Sequence, residues 1–359
     1  MEAFVVSALK YRPTRFEEVV GQQAITQTLQ NAIDTQQLAQ SLLFCGPRGV
    51  GKTSCARILA QQINSTQNSE NSDDFAFNIF ELDAASNNSV EDIRKINEQV
   101  RIPPQVGTHK VYIIDEAHML SAAAFNAFLK TLEEPPKHVI FILATTEKNK
   151  IIPTILSRCQ VYDFKRISVV DMQQHLVKIA TQQNLEFEEE ALLLIAQKAE
   201  GALRDALSIF DRMVSFTNGK LLTSLVAENL NVLDFNSYFK FVNQFLAHDI
   251  PEILLEFNHL TQKGFDGLQF VLGLEEHLRN LWLAKDQKTH TLLELGQGIQ
   301  EKYQQQAQSI ESDWLLEALE ILNQCEIAYK SSQNKHLHVE LSLMQLASLH
   351  FNGEKKKAT

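Results

Sequence analysis

The sequence is poor in cysteine, and the four it has, Cys45, Cys55, Cys159 and Cys325, are scattered and never form a C-x-x-C pair. Neither a disulfide framework nor a zinc knuckle follows from such spacing. Ala3 to Leu9 is mildly apolar but lacks the basic leader and length of a signal peptide, and no later run approaches the span of a membrane helix. The expectation is a reduced, cytoplasmic protein without a membrane partner. Basic residues are outnumbered, 33 Lys and Arg against 44 Asp and Glu for a formal charge of -11. That argues against a surface coated in positive charge, although an acidic protein can still carry a local basic patch for nucleic acid. With 359 residues, 44% of them hydrophobic, the chain is long enough for two or three domains.

What is present centres on Gly46-Pro47-Arg48-Gly49-Val50-Gly51-Lys52-Thr53, followed by Ser54. It fits the phosphate-loop pattern, in which backbone N–H groups cradle phosphates and the lysine reaches the β and γ oxygens. Context supports it: Ser41 to Cys45 has the signature of a short buried strand. Ser54 to Asn64 has Ala56, Leu59, Ala60 and Ile63 at helical spacing. A helix N-terminus behind the loop adds its dipole to an anion site.

Upstream, Tyr11, Arg12 and Pro13, with Val19 and Val20, could either line a base pocket or form a tethered N-terminal arm; a helix is expected from near Gly21 to about Thr35. The polar run 65–74 lacks apolar periodicity and is predicted to be a loop. Phe80 to Asp83 has the character of a strand end, and a helix over 90–100 should start at Ser89, with Asp92 three residues on completing a capping box. Lys110 to Glu116 is an apolar strand ending in two acids; a helix from about Ala122 to Glu134 is stopped by Pro135-Pro136. Val139 to Thr146 is a further apolar strand, ending in hydroxyls. Such strands alternating with helices imply an α/β fold with a parallel sheet covered on both faces, its ligand lying beyond the carboxyl ends of the strands. After Phe164 the pattern turns helical and no further strand is expected, which sets boundaries near 165 and 230. The lysines near 355–357 are expected to be a solvated tail.

In a nucleotide site of this kind Lys52 supplies charge to phosphates and Thr53 is the expected magnesium ligand. Asp115 is placed to hold the metal, and Glu116 to polarise an attacking water. The tetrapeptide Asp115-Glu116-Ala117-His118 also resembles the acidic box of a helicase family, but such helicases need a second nucleotide-fold core, and the next two hundred residues are helical in pattern. Arg158, by composition alone, is better suited to a surface salt bridge than to catalysis.

The segments Tyr11-Arg12-Pro13, the phosphate loop, Val-Tyr-Ile-Ile-Asp-Glu-Ala-His at 111–118, Phe125 to Pro136, Ala144-Thr145-Thr146, Ser157-Arg158-Cys159 and Gly201-Ala202-Leu203-Arg204-Asp205-Ala206-Leu207 occur in an order that resembles the gamma/tau subunits of the bacterial DNA polymerase III clamp loader, which are AAA+ ATPases. The resemblance implies an AAA+ P-loop domain over 1–165, a small helical lid over 166–230, an all-α collar over 231–351 and a tail over 352–359. It implies ATP and Mg2+ as cofactors, and adenine enclosed by Tyr11, Arg12, Val19 and Val20. Thr146 would be the first sensor of the γ-phosphate and Arg204 the second, while Arg158 would be an arginine finger reaching a neighbouring subunit's ATP. Lys130 and Arg94 match positions that face duplex phosphates. Two others, usually basic, are Asn87 and Ala122 here. Relatives carry four cysteines for zinc near 65–74; none is present here, so zinc is not expected. Implied partners are copies of the chain itself, delta and delta-prime type subunits, a sliding clamp and primed DNA. Two alternatives stand beside this motor subunit: a non-hydrolysing scaffold like delta-prime, and another AAA+ remodeller acting at replication forks.

Overall fold

Strand residues alternate between the faces of a sheet, so an apolar strand with no polar interruption must be covered twice. The computed structural model, described here for residues 5–65, 77–230, 233–293, 295 and 297–350, shows this arrangement. After a short helix α1 (Ser7–Lys10) and α2 (Gln23–Asp34), the chain alternates β1 (Ser41–Cys45), α3 (Lys52–Ser65), β2 (Ile79–Asp83), α4 (Val90–Gln99), β3 (Lys110–Asp115), α5 (Ala122–Glu133), β4 (Val139–Thr145), α6 (Pro153–Leu156) and β5 (Gln160–Asp163). The five strands form one parallel sheet in the order β2-β3-β4-β1-β5. Leu42, Phe44, Val111, Ile113, Ile140 and Ile142 point into one core with Leu29, Ile58 and Leu59 of α2 and α3. Their neighbours Leu43, Tyr112, Ile114, Phe141 and Leu143 point into the other, with Ile93, Phe125 and Phe128 of α4 and α5. Each such large side chain, fully withdrawn from water, contributes roughly 1.5–3 kcal/mol.

The expected starts and stops hold within a residue or two, and Ser89 forms the full capping box, its hydroxyl accepting from Asp92 N while the Asp92 carboxylate accepts from Ser89 N. The strand expectation needs one correction. Beyond α7 (Val169–Gln182) lies a two-residue strand β6 (Glu186–Phe187). Helices α8 (Glu189–Lys198) and α9 (Leu203–Phe216) follow, then β7 (Lys220–Leu221), which pairs with β6 in parallel. Two-residue bridges are too short to carry a pattern. The rest is helical: α10 (Thr223–Leu230), α11 (Phe235–Leu246), α12 (Ile250–Gln262), α13 (Gly267–Ala284), α14 (Gln297–Gln308), α15 (Ser312–Tyr329) and α16 (Lys335–Ser348). Two compact units result. One comprises residues 1–176 and 196–212, so that α9 as far as Arg212 belongs with the five-stranded sheet; the other comprises 177–195 and the chain from 213 on. The loop expected at 65–74 lies, from Thr66, outside the described residues, as do Ala3 and the tail 352–359. Among the described residues no helix is long and apolar enough to cross a membrane.

In the second unit, His277 of α13 is buried, and its Nδ1 lies 2.8 Å from the Tyr303 hydroxyl of α14. Burial pushes its pKa down to about 3 from 6.5, against a smaller upward pull from Gln306. The unfolded chain therefore takes up a proton below about pH 6.5 that the folded chain refuses until about pH 3. Stability from this residue is complete above pH 6.5 and falls as pH drops through that window, by at most about 1.4 kcal/mol per pH unit. Urea midpoints measured at pH 7 and pH 5 should show the fall, and a His277→Gln variant should show a shallower one.

Candidate functional site

The sheet register sets the site. Cys45 pairs with Thr145 across β1 and β4, and Ile114 pairs with Leu143 across β3 and β4, so the phosphate loop, Asp115 and Thr146 all leave the same carboxyl edge. Gly46 N donates to Thr145 O at 3.2 Å, and Phe164 N donates to Cys45 O at 2.7 Å, pinning the start of the loop between β4 and the end of β5. Gly46 has φ +145°, and a Cβ there would collide with the Phe164 carbonyl. Gly49 has φ +75°; a Cβ there would sit 3.2 Å from the Ala202 Cβ and 3.3 Å from the Arg204 Cβ. Only glycine lets the start of α9 come so close, and Arg204 N donates to Gly49 O at 3.4 Å.

Lys52, 6% exposed, turns back over the loop, donating to the carbonyls of Gly46 at 2.8 Å and Pro47 at 2.7 Å. Burial lowers its pKa, and the carboxylates of Glu116 and Asp115 oppose that shift. The Thr53 hydroxyl donates to Asp115 Oδ2 at 2.7 Å, and Asp115 Oδ1 accepts from Glu116 N at 2.9 Å. Glu116 has φ +46°, a left-handed conformation that side-chain-bearing residues take at a cost and that clusters at functional sites. Its Oε2 accepts from the Thr146 hydroxyl at 3.1 Å and lies 3.4 Å from His118 Nδ1, whose Nε2 is 3.4 Å from Glu147 Oε1.

These groups open on a cavity of about 460 Å³, which the expected residues Tyr11, Arg12, Val19, Val20, Arg48 to Ser54, Asp115, Glu116 and Arg204 all line. Gly46 and Pro47 contribute through the carbonyls that hold Lys52. Arg12 has its pKa lowered by burial and by the positive charge of Arg57, opposed by Glu81 and reinforced by Arg204. Cationic Arg12, Lys52 and Arg204, the glycine N–H groups of the loop and apolar Val19, Leu203 and Leu207 share this one cavity, a lining that fits a nucleoside polyphosphate. A hard cation fits Thr53 and Asp115, which offer oxygen ligands only. Among the described residues no group of three or more His, Cys, Asp or Glu side chains is placed to hold a metal without such help.

Three expected residues lie elsewhere. Arg158 does not line the cavity; it forks onto Glu133, with Nε 2.7 Å from Oε1, and donates to Thr154 O at 2.6 Å. Arg94 on α4 and Lys130 on α5 are exposed, on helices joined through Asn97, which donates to Ala127 O at 2.9 Å and accepts from Thr131 at 2.7 Å. Sequence reasoning missed Gln22, buried, whose amide donates to Lys165 O at 2.7 Å and reaches Val50 O at 3.4 Å, bracing the loop. It also assigned nothing to Ser7 and Asp211, since no motif marks a residue that acts on a distant partner, nor to His118, which the motif at 111–118 contains without showing its approach to Glu147.

The parallel order β2-β3-β4-β1-β5, the phosphate loop between β1 and α3, and the acidic pair ending β3 define a P-loop nucleotide-fold protein of the AAA+ class. Residues 21–168 match the family described as DNA polymerase III, delta subunit, and residues 171–219 match the ATPase lid domain of DNA polymerase III clamp loader subunits. The chain is 31% identical to the DNA polymerase III subunit gamma of Buchnera aphidicola from Acyrthosiphon pisum, over 96% of this chain and 99% of that one. It is 38% identical to the tau subunit of Bacillus subtilis, over 94% of this chain and 62% of that one. The chain belongs to the gamma/tau family of DNA polymerase III subunits. It spans about half the length, or less, of several other tau and gamma/tau relatives. A solved RuvB mutant of Thermotoga maritima shares the fold over 66% of this chain and 80% of its own, with a TM-score of 0.50 at 21% identity.

Proposed function

We propose that this chain is the ATP-driven motor subunit of a clamp loader, which loads a ring-shaped sliding clamp onto primed DNA as part of the DNA polymerase III holoenzyme. The observation that carries it is the intact hydrolytic set on one cavity: buried Lys52, Thr53 bonded to Asp115, and Glu116 beside them. A scaffold that only held its neighbours would have no use for it. Bound ATP and Mg2+ supply the phosphoanhydride bond to be broken and the charge to which the site responds. Lys52 would exchange the carbonyls of Gly46 and Pro47 for phosphate oxygens, and Thr53 and Asp115, now bonded to each other, would hold the cation through their oxygens. Glu116 orients and polarises a water, and it is free to do so once Thr146 releases its carboxylate, which ties that sensor to catalysis. Arg204 responds to the γ-phosphate from α9, and Tyr11, Arg12, Val19 and Val20 enclose the base. Arg158 completes a neighbouring copy's site. In this reading 1–165 is the nucleotide-binding domain, 166–230 the lid and 231–351 the collar that joins copies of the chain to delta and delta-prime type subunits. Arg94 and Lys130 contact duplex phosphates without reading sequence, so binding should weaken with salt. Asn87 and Ala122 add no charge to that track.

ATPase activity measured with the chain alone, then with delta-type partners, clamp and primed DNA added in turn, tests the assignment. Turnover should reach its full rate only with all of them present. A chain that never binds ATP would establish the scaffold reading instead, and ATP hydrolysis indifferent to delta-type partners would favour another AAA+ remodeller.

A further inference from the structure

The cavity has one wall that no phosphate or base motif explains. Helix α1 runs beside it, and Val6, Ala8 and Leu9 all line it, although Val6 is 43% and Leu9 57% exposed. So small an apolar contact cannot hold a four-residue helix against the entropy of ordering it. Ser7, buried at 3% exposure, ties it to α9 by giving both of its donors to one carboxylate. Ser7 N donates to Asp211 Oδ2 at 2.7 Å, and the Ser7 hydroxyl donates to Asp211 Oδ1. Hydrogen bonds to an ionised acceptor are about twice as strong as neutral ones.

Asp211 lies on α9, seven residues after Arg204. Arg204, Leu207, Ser208 and Asp211 follow the i, i+3, i+4, i+7 spacing of a single helix face, and all four line the cavity. Two turns of helix are about 10 Å long. One rigid element thus presents a guanidinium near the glycine loop, where Arg204 N meets Gly49 O, and a carboxylate to the N-terminal wall.

We infer that Ser7 and Asp211 form a latch between the N-terminal wall of the nucleotide cavity and the helix that carries Arg204, and that nucleotide leaves only after this pair parts. The inference rests on the reading of the cavity as an ATP site. Closing the wall and seating Arg204 become one motion, because both are fixed to the same helix. Ser7 and Asp211 are positioning residues: they act on nucleotide through α1 and through Arg204.

The test is the dissociation rate of a fluorescent ATP analogue and of its ADP counterpart, followed by stopped flow on the full chain with magnesium. Ser7→Pro removes both donors while suiting the first position of a helix, and Val6 before it already has the extended backbone (φ -59°, ψ 140°) that a following proline requires. Asp211→Ala removes both acceptors; Asp211→Asn keeps the shape and one acceptor. Ser7→Pro and Asp211→Ala should each speed ATP release by roughly tenfold, the size of one charge-assisted hydrogen bond. The double variant should be no faster than Asp211→Ala alone, because both donors of Ser7 go to that one carboxylate. The ratio of ADP to ATP release should fall towards one as Arg204 loses its seat. A purely structural role would lower the melting temperature without nucleotide and leave that ratio unchanged, which would overturn the inference, as would single effects that multiply in the double variant. Absence of ATP binding by the unaltered chain would overturn the ATP reading together with the latch. Normal binding with unchanged release in Ser7→Pro and Asp211→Asn would overturn the latch alone.

Discussion

Replacing Arg158 by alanine is expected to leave ATP binding by the isolated chain unchanged and to cut the DNA-stimulated turnover of the assembled complex by about 10³-fold or more, the range known for arginine fingers. Arg158 lies outside its own chain's cavity and is held on the surface by Glu133 and the Thr154 carbonyl. It therefore has no route to the phosphates its own Lys52 would hold. An exposed ion pair of this kind is worth about 0–1 kcal/mol, so the melting temperature of the variant should barely move. The separation of a large kinetic effect from a small effect on stability is the informative part. In mixed assemblies, variant chains should retain turnover in their own sites wherever the neighbour supplies an intact arginine. Normal turnover of an assembly made wholly of Arg158→Ala chains would sink the assignment.

For Lys52→Ala the expected loss is in binding itself, on the order of 10²-fold or greater, because a buried ammonium meeting phosphate oxygens makes several charge-assisted hydrogen bonds and each is worth about 1.5–3 kcal/mol. Without nucleotide the variant should stay folded. Burial already disfavours the Lys52 charge, so its removal relieves a desolvation cost while leaving the carbonyls of Gly46 and Pro47 without that donor. With ATP at 100 times the dissociation constant, the unaltered protein should gain about 2.7 kcal/mol of stability by linkage. The variant, weakened 10²-fold or more, should gain no more than about 0.4 kcal/mol at the same concentration. A thermal melt of both proteins with and without ATP and magnesium measures this, and equal stabilisation of the two would remove Lys52 from the site.

Much of the five-stranded unit was legible in the sequence. Ser41 to Cys45, Lys110 to Asp115 and Val139 to Thr145 are apolar on both alternate sets of residues, and the two cores on either side of the sheet are the direct result. Ser89 and Asp92 announced the start of α4 because a cap is a bond between residues three apart. The pairing of β6 with β7 was not legible, since two residues cannot express a period. His118 and Gln22 were missed for another reason: each earns its place through partners that spacing does not reveal.

The sequence by itself determined the longer secondary elements, the phosphate loop and the acidic pair, because backbone sterics, side-chain period and capping act over a few neighbouring residues. Tertiary structure alone decided which of those pieces meet. Strand order and register brought Thr146 onto Glu116, 30 residues away, and left Arg158 on the surface with Glu133. The fold likewise closed the cavity with a bond between Ser7 and Asp211, 204 residues apart. Contacts at such separations depend on how the cores pack and on which carboxyl ends share an edge, and no local pattern of residues records either.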